Sequence, residues 1–421
     1  MKKILTLTAL GTVLLAAGQT QAAGFLLREQ SASAMGNAFA GATAGAEDAS
    51  YSFYNPAAII RQSGTQASLN ATAIVGDANG YQGLGSGGYT SHMDHIVDKK
   101  ILPSGYVSHA VDSRTSVGIS LSAPFGLVTD YSPYWAGANH GTLSELTTYD
   151  LTTMVAYRAT CDLTFGAGLV VQYIDATLKN GVAQGIAPLP VKIGSKMSGD
   201  DTSIGYVLGA LYEYSPRTRF GVGYRSEVHH KLNGTISFTQ PLIAAGALGL
   251  FKQDITAKVT TPAMLTFGAY HDIDEKWSVM AEVQKTYWSS FDNLTIKGKY
   301  KPVLSITDEN WKDVMFYSVG ASYKYNDKLK LRFGLAYDNT PVNDYTRTPR
   351  IPDSDRIWYS TGAEYQITDN LSMNAGYTYI RAKKNKVALD GSNPHDATRG
   401  PVYAKYKGNI HLFGLGFNYN F

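Results

Sequence analysis

The sequence predicts an all-β protein, a fourteen-stranded antiparallel transmembrane barrel with a short N-terminal plug inside its lumen. Three observations lead there: an export leader, segments whose residues alternate between apolar and small or polar, and connections that alternate between short and long.

The leader comes first. Lys2 and Lys3 form a charged start, Ile4 to Ala17 a short apolar core, and Thr20-Gln21-Ala22 a small-residue cleavage site. That pattern reads as a signal peptide over residues 1–22, with a mature chain beginning at Ala23. The apolar run is too short to span a bilayer, and no later stretch approaches the ~20 apolar residues a membrane helix needs. The formal net charge is +3, of which Lys2 and Lys3 supply two, so the exported part lacks a basic footprint for nucleic acid. Charged residues make up 17%, below the usual share of a soluble domain. The lone Cys161 excludes an internal disulfide and every multi-cysteine metal or redox motif.

The strands follow. In the final segment His411, Phe413, Leu415, Phe417, Tyr419 and Phe421 share one face, and Leu412, Gly414, Gly416, Asn418 and Asn420 the other. Side chains alternate across a strand, so one face is aromatic and apolar and its reverse is small or polar. In an outer-membrane barrel the first face meets lipid and the second the lumen. The same alternation recurs at Leu163–Tyr173, Ser203–Tyr214, Trp277–Gln284 and Leu371–Tyr379. Short polar turns, such as Asp112-Ser113-Arg114 and Asn326-Asp327-Lys328, separate long segments near 76–98, 125–147, 180–202, 232–258, 289–311, 339–356 and 382–407. Six turns and seven loops join fourteen strands, an even number that closes without an edge exposed to lipid.

Residues 23–62 lack the alternation and precede a barrel over 63–421. Phe25, Leu26, Leu27, Met35 and Phe39 are too apolar for a solvated tail, and they fit a plug filling the lumen.

Several motifs then carry a resemblance. Ala23-Gly24-Phe25, Gly36-Asn37-Ala38-Phe39-Ala40-Gly41 and Asn55-Pro56-Ala57 resemble the hatch of the long-chain fatty acid transporter (FadL) family, which includes aromatic-hydrocarbon channels. Tyr224-Arg225-Ser226-Glu227-Val228 resembles a further signature of that family. So do Asp338-Asn339-Thr340-Pro341-Val342, Arg347 and Ile351-Pro352-Asp353-Ser354-Asp355-Arg356-Ile357-Trp358. The resemblance implies passive uptake of long-chain fatty acids or related hydrophobic molecules, or of neutral aromatic hydrocarbons in some relatives. It also implies a route: a groove among the loops, an internal pocket, and exit through a wall gap made by a kinked third strand opposite the hatch's Asn55-Pro56-Ala57. Pro124, Phe125 and Gly126 stand where that kink is expected, and Pro cannot donate to a ladder. The hatch and gating candidates are therefore Asn55, Pro56, Ala57, Pro124 and Gly126.

Two long loops are apolar where water should favour polar residues, and an apolar rim suggests a binding surface. Phe125, Leu127, Val128 and Trp135 come from one loop, and Leu242, Ile243, Leu248 and Phe251 from the other. A fatty acid carboxylate leaving water needs a cation. Lys312, on lumenal parity in the tenth strand, lies in Trp311-Lys312-Asp313, which resembles a family segment near the pocket. The family's second basic position falls at Asn180, with Lys179 beside it, and this departure leaves room for a neutral ligand. Phe25 is the hatch residue expected nearest the pocket. Glu213, Arg225, Glu227, Glu282, Arg332, Arg356 and Glu364 share inward parity and are expected to pair and anchor the hatch.

Other signals are weaker. His229-His230 lacks a third ligand for a metal. Gly83-Leu84-Gly85-Ser86-Gly87-Gly88 matches a dinucleotide fingerprint, but neither a feeding strand nor a following helix accompanies it. Neither G-x-S-x-G nor a triad-like histidine setting points to a hydrolase. The expectation is a non-enzymatic monomer without cofactor or metal, whose partners are hydrophobic small molecules and outer-membrane lipid.

Overall fold

The computed structural model describes residues 24–421 except 86, 89, 95, 98, 183–192, 240–250 and 301. The leader, and the candidates Leu242, Ile243 and Leu248, lie outside the described residues.

Fourteen antiparallel strands close the barrel. They are β1 (Thr65–Gly85), β2 (Lys100–Ala110), β3 (Thr115–Ser122, resuming at Gly126–Asp130), β4 (Leu143–Arg158) and β5 (Leu163–Val182). Then come β6 (Ile193–Ser215), β7 (Thr218–Arg225 and Val228–Thr239), β8 (Gln253–Thr261 and Met264–Asp272) and β9 (Trp277–Thr286 and Asn293–Gly298). The last five are β10 (Ser305–Asp308 and Val314–Lys324), β11 (Leu329–Asp338), β12 (Arg356–Thr368), β13 (Leu371–Ala382 and Asn385–Leu389) and β14 (Val402–Asn420). β14 pairs with β13 and with β1, in register from Gln66↔Asn420 to Tyr81↔Lys405, which shuts the wall.

Period two sets the two faces as the sequence predicts. Phe413, Leu415, Phe417 and Tyr419 point outward and are exposed, whereas Leu412 is fully buried against the lumen's contents. Several strands run well past the apolar band. β1 continues to Gly85 and β6 begins at Ile193, both inside segments expected as loops. Beyond the bilayer both strand faces meet polar surroundings, so the alternation fades while the ladder to the neighbouring strand persists.

The hatch fills the lumen. Two short helices, α1 (Ala32–Gly36) and α2 (Ala42–Gly45), and 3-10 turns at Ala49–Phe53 and Pro56–Arg61 bury almost every side chain. Ser31, Asp48 and Asn55 cap three of these four elements through side-chain oxygens. Met35, Phe39, Tyr51 and Ile59 share a core with Leu211, Phe316, Trp358 and Leu412 of the wall. Close approach requires glycine in the wall: a Cβ on Gly334 would strike the backbone of Asn37.

Inward charges bind the hatch to the barrel. Arg332 lies 2.6 Å from both hatch Glu47 and wall Glu364, and Lys330 is 2.9 Å from Glu47. Glu213 pairs with hatch Arg61, Glu282 accepts from Thr43, and Arg225 pairs with Asp150 within the wall at 2.7 Å. Glu227 departs from the inward expectation. The break in β7 at Ser226-Glu227 resets the parity, and Glu227 is exposed beside His229. The adjacent histidines face opposite ways: His229 is exposed, and buried His230 bonds Asp201 and Gln172.

Candidate functional site

The third strand breaks at Ala123-Pro124-Phe125, as its Pro and Gly suggest. β2 pairs the first half of β3 from Gly105↔Leu121 to Ala110↔Ser116. Among the described residues, the second half forms a ladder only with β4, from Gly126↔Thr147 to Asp130↔Leu143, and Asp130 donates to Ile96 O at 3.0 Å. Among the described residues, no ladder joins Gly126–Asp130 to Lys100–Ser104 of β2, so a seam runs through the wall.

Unpaired backbone is costly in a membrane wall, and here the hatch supplies the partners. Leu27 donates its N–H to Pro124 O and Gly126 donates to Phe25 O, each at 2.7 Å. Gln30 serves both polar groups of Ala123, donating to its carbonyl at 2.8 Å and accepting from its N–H at 3.2 Å. The carbonyl of Gln30 in turn accepts from Ser104 Oγ and Tyr106 OH on β2. Residues 25–30 thus stand in for the missing stretch of strand. The segment expected opposite the gap opens the 3-10 turn Pro56–Arg61, whose Ile59 reaches Gly118 in the first half of β3. Asn55 donates to Thr43 O and Ala210 O, and Asn55-Pro56-Ala57 sits against Gly166 of β5 and Gly209 of β6.

Behind the break, Phe25 is enclosed by aromatic rings. Its ring centroid lies 4.6 Å from Trp288, 5.5 Å from Phe291, 5.7 Å from Trp311 and 6.0 Å from Phe125. The hatch start is fixed there by Asp353, which accepts from Gly24 N at 2.9 Å and from Thr340 Oγ1 at 2.7 Å and pairs with Arg356. Arg347 donates to the Asp353 carbonyl. The long motif in residues 338–358 is therefore largely a clasp for the start of the hatch.

Phe25 and Leu127 are among the residues lining a partly open cavity of about 90 Å3. Leu146, Leu178, Met197, Leu232, Ile255 and Ile296 form much of the apolar wall. The apolar lining suits a hydrophobic ligand, which would have to widen the cavity on entering. Arg350 is the one cation among the described lining residues, which also include the acids Glu145 and Glu309. Burial pushes the Glu309 carboxyl up to about 8 despite a hydrogen bond from Trp311 Nε1. Burial also lowers the Arg350 guanidinium to about 9, leaving it charged at neutral pH.

The other predicted residues fall in different places. Phe125 is buried at the break, and Val128 is buried in the resumed half of β3. Trp135 does not line a groove: it is fully buried, stacked on Tyr131 at 4.6 Å, with its Nε1 donating to Gly141 O. It belongs to a core shared with Met93, Ile96, Val387, Val402 and Tyr406 from other segments. Phe251 is exposed. Lys179 is exposed on β5 and contributes only its carbonyl, which accepts from Thr142 N and Arg350. Lys312 is exposed and does not line the cavity. Its lumenal parity was extrapolated from a strand that resumes only at Val314. Sequence reasoning missed Gln30 and Arg350. Arg350 adjoined a motif that drew attention to Arg347 and Ile351, and Gln30 carried no local signal.

An antiparallel barrel with an aromatic lipid face, a docked hatch and an apolar chamber beside a wall seam defines a hatch-plugged outer-membrane transport barrel. The chain belongs to the outer membrane protein transport protein family (OMPP1/FadL/TodX), whose sequence profile matches residues 13–421. It is 27% identical to the long-chain fatty acid transport protein of Escherichia coli K12, over 100% of this chain and 99% of that one. It is 30% identical to a 47 kDa outer membrane protein of Pasteurella multocida, over 96% of each. Among solved structures, a Pseudomonas aeruginosa FadL homologue superposes with a TM-score of 0.84 at 25% identity, covering 95% of this chain and all of that one. The Pseudomonas putida toluene transporter TodX shares the fold, with a TM-score of 0.73 at 18% identity over 95% of this chain and 100% of that one.

Proposed function

We propose that this protein carries long-chain fatty acids or related hydrophobic molecules passively across the outer membrane, as a monomer, through the chamber and out sideways at the β2–β3 seam. The observation that carries this reading is the wall break itself, whose backbone is satisfied by hatch residues 25–30. Withdrawing those residues opens a path from the chamber, past Phe25 and Phe125, to the lipid. Cargo enters from the outer loops, where exposed Phe251 lies, and no bound energy source is needed because apolar solutes partition downhill into lipid. The aromatic rings around Phe25 also favour a second reading, a neutral aromatic hydrocarbon as cargo.

The test is a reversible lock. Leu26 and Phe125 face each other in an isolated antiparallel bridge. A double variant, L26C with F125C in a C161S background, joins hatch to wall when oxidised. Oxidised protein in liposomes is expected to lose uptake of labelled oleate and to regain it on reduction. Uptake that is indifferent to the lock rejects exit at this seam.

A further inference from the structure

The outer face of β13 and β14 turns basic toward the long-loop end of the barrel. Lys405 and Lys407 are exposed on the face of β14 that carries Phe413 and Leu415 farther down. Across the ladder Lys386 of β13 sits directly opposite Lys405. Arg381, Lys383 and Lys384 are exposed just before it, at the break between the two halves of β13. Among the described residues none of these six cations is in an ion pair with a carboxylate. Like charges placed directly opposite one another destabilise a ladder, so the pair Lys386–Lys405 calls for an anion.

Two features beneath the patch say what kind of anion. The first is an aromatic row: Tyr359, Tyr379 and His411 are cross-strand neighbours on β12, β13 and β14. The rings of Tyr359 and Tyr379 stack at 6.3 Å. Such rings sit at the headgroup level of a bilayer. Arg381, two residues beyond Tyr379, and Lys407, four beyond His411, therefore stand among the headgroups of the outer leaflet. The second feature is a furrow of about 570 Å3 in the lipid-facing wall of β10 to β13. Ala321 and Thr361 are small among Val319, Phe333, Leu335 and Tyr377, and this leaves the depression. The cations are not spread evenly round the rim. On β5 and β6 the corresponding place is acidic, where Asp175, two residues beyond Tyr173, faces Asp200.

We propose that β13 and β14 bind a phosphorylated lipid of the outer leaflet, with its phosphates between Lys386, Lys405 and Lys407 and one acyl chain in the furrow over Ala321 and Thr361. A phosphomonoester carries close to two negative charges near neutral pH. Six cations without carboxylate partners therefore match a lipid with two such groups, of the lipid A kind, and not a zwitterionic phospholipid. A chain tethered to a head held just above the furrow meets it at high effective concentration. The site lies on the outside of the wall and does not depend on what the lumen carries.

The experiment uses the purified full-length barrel in neutral detergent, with bound lipid followed by native mass spectrometry. The probes are bisphosphorylated lipid A and the same lipid stripped of its phosphates. The native protein is expected to hold the first about tenfold or more tightly than the second. K386Q with K405Q is expected to weaken lipid A on the order of twentyfold, about fivefold for each cation lost at an anionic lipid surface. K231Q with K258Q removes another directly opposed pair, on β7 and β8, and is expected to stay within about twofold of the native protein. A321F fills the furrow, leaves every charge in place, and is expected to weaken lipid A about three- to tenfold. Unchanged β-sheet circular dichroism shows that each variant folds, and K405Q alone replaces the double variant if that one does not. Equal affinity of the native protein for the two probes overturns the proposal. So does equal loss in the two lysine pairs, which makes the attraction diffuse. Displacement of lipid A by inorganic phosphate alone, or an A321F variant that binds as the native protein does, overturns the part assigned to the acyl chain.

Discussion

Replacing Phe25 with alanine should loosen the hatch's first residues from the wall without unfolding the barrel. The ring is 1% exposed and meets four aromatic partners within about 6 Å. Removing a buried Phe costs about 3–5 kcal/mol. The lower end applies, because the new void merges with a chamber already present instead of making a sealed cavity. About 3 kcal/mol raises the open population of a locally opening segment on the order of a hundredfold. Hydrogen exchange reads this at two amides, Leu27 and Gly126, whose acceptors are Pro124 O and Phe25 O. Both are expected to exchange on the order of a hundred times faster, while the amides of Leu412 to Phe417 in β14 keep their protection. Unchanged exchange at Leu27 and Gly126 would refute the idea that the aromatic nest holds the break closed. Faster exchange throughout β14 would show that Phe25 supports the whole fold.

Two further outcomes follow. G209V should drive a methyl group into Asn55 and Pro56, lift that part of the hatch at a cost of about 1–3 kcal/mol, and speed limited proteolysis of residues 40–62 while the barrel resists. Stability toward denaturant should decline as pH rises from the ordinary carboxyl range up to about 8, because the fold holds the Glu309 proton more tightly than the unfolded chain does. Glu145, also in the lining, and Arg399 and Tyr131, whose charges reach Arg350, are the other groups to hold in view. E309Q should flatten that dependence, and a slope that survives the substitution assigns it to one of those neighbours.

The barrel was legible because its signal is local. Alternation at β14 or β5 needs only neighbours in sequence, and short polar turns mark where strands reverse. The break in β3 was legible for the same reason, since Pro124 and Gly126 carry their backbone chemistry with them. What closes the break was not. Gln30 reaches Ala123 across 93 positions, and nothing around it in the chain marks it as different from any other polar hatch residue. Trp135 shows the limit of composition: an apolar loop residue that packs into a core with distant segments and one that awaits a ligand look alike in sequence. Lys312 shows the limit of parity, which holds only where a strand is actually paired. Arg350 became visible only once β4, β5 and a distant loop converged on one chamber.

The clasp of Glu47 by Lys330 and Arg332 has a consequence for the cell as an electrical object. A lumen packed with a hatch that is tied down by these charges is expected to carry no appreciable ion current along its axis, which planar-bilayer recording checks. Open pores of similar girth admit whatever is small and hydrated, including dyes and toxic salts. Here the aqueous short-circuit is blocked by side chains that have no reason to move when a greasy solute passes near the opposite end of the hatch. Such a wall keeps its resistance to water-borne traffic even when many copies are embedded in it.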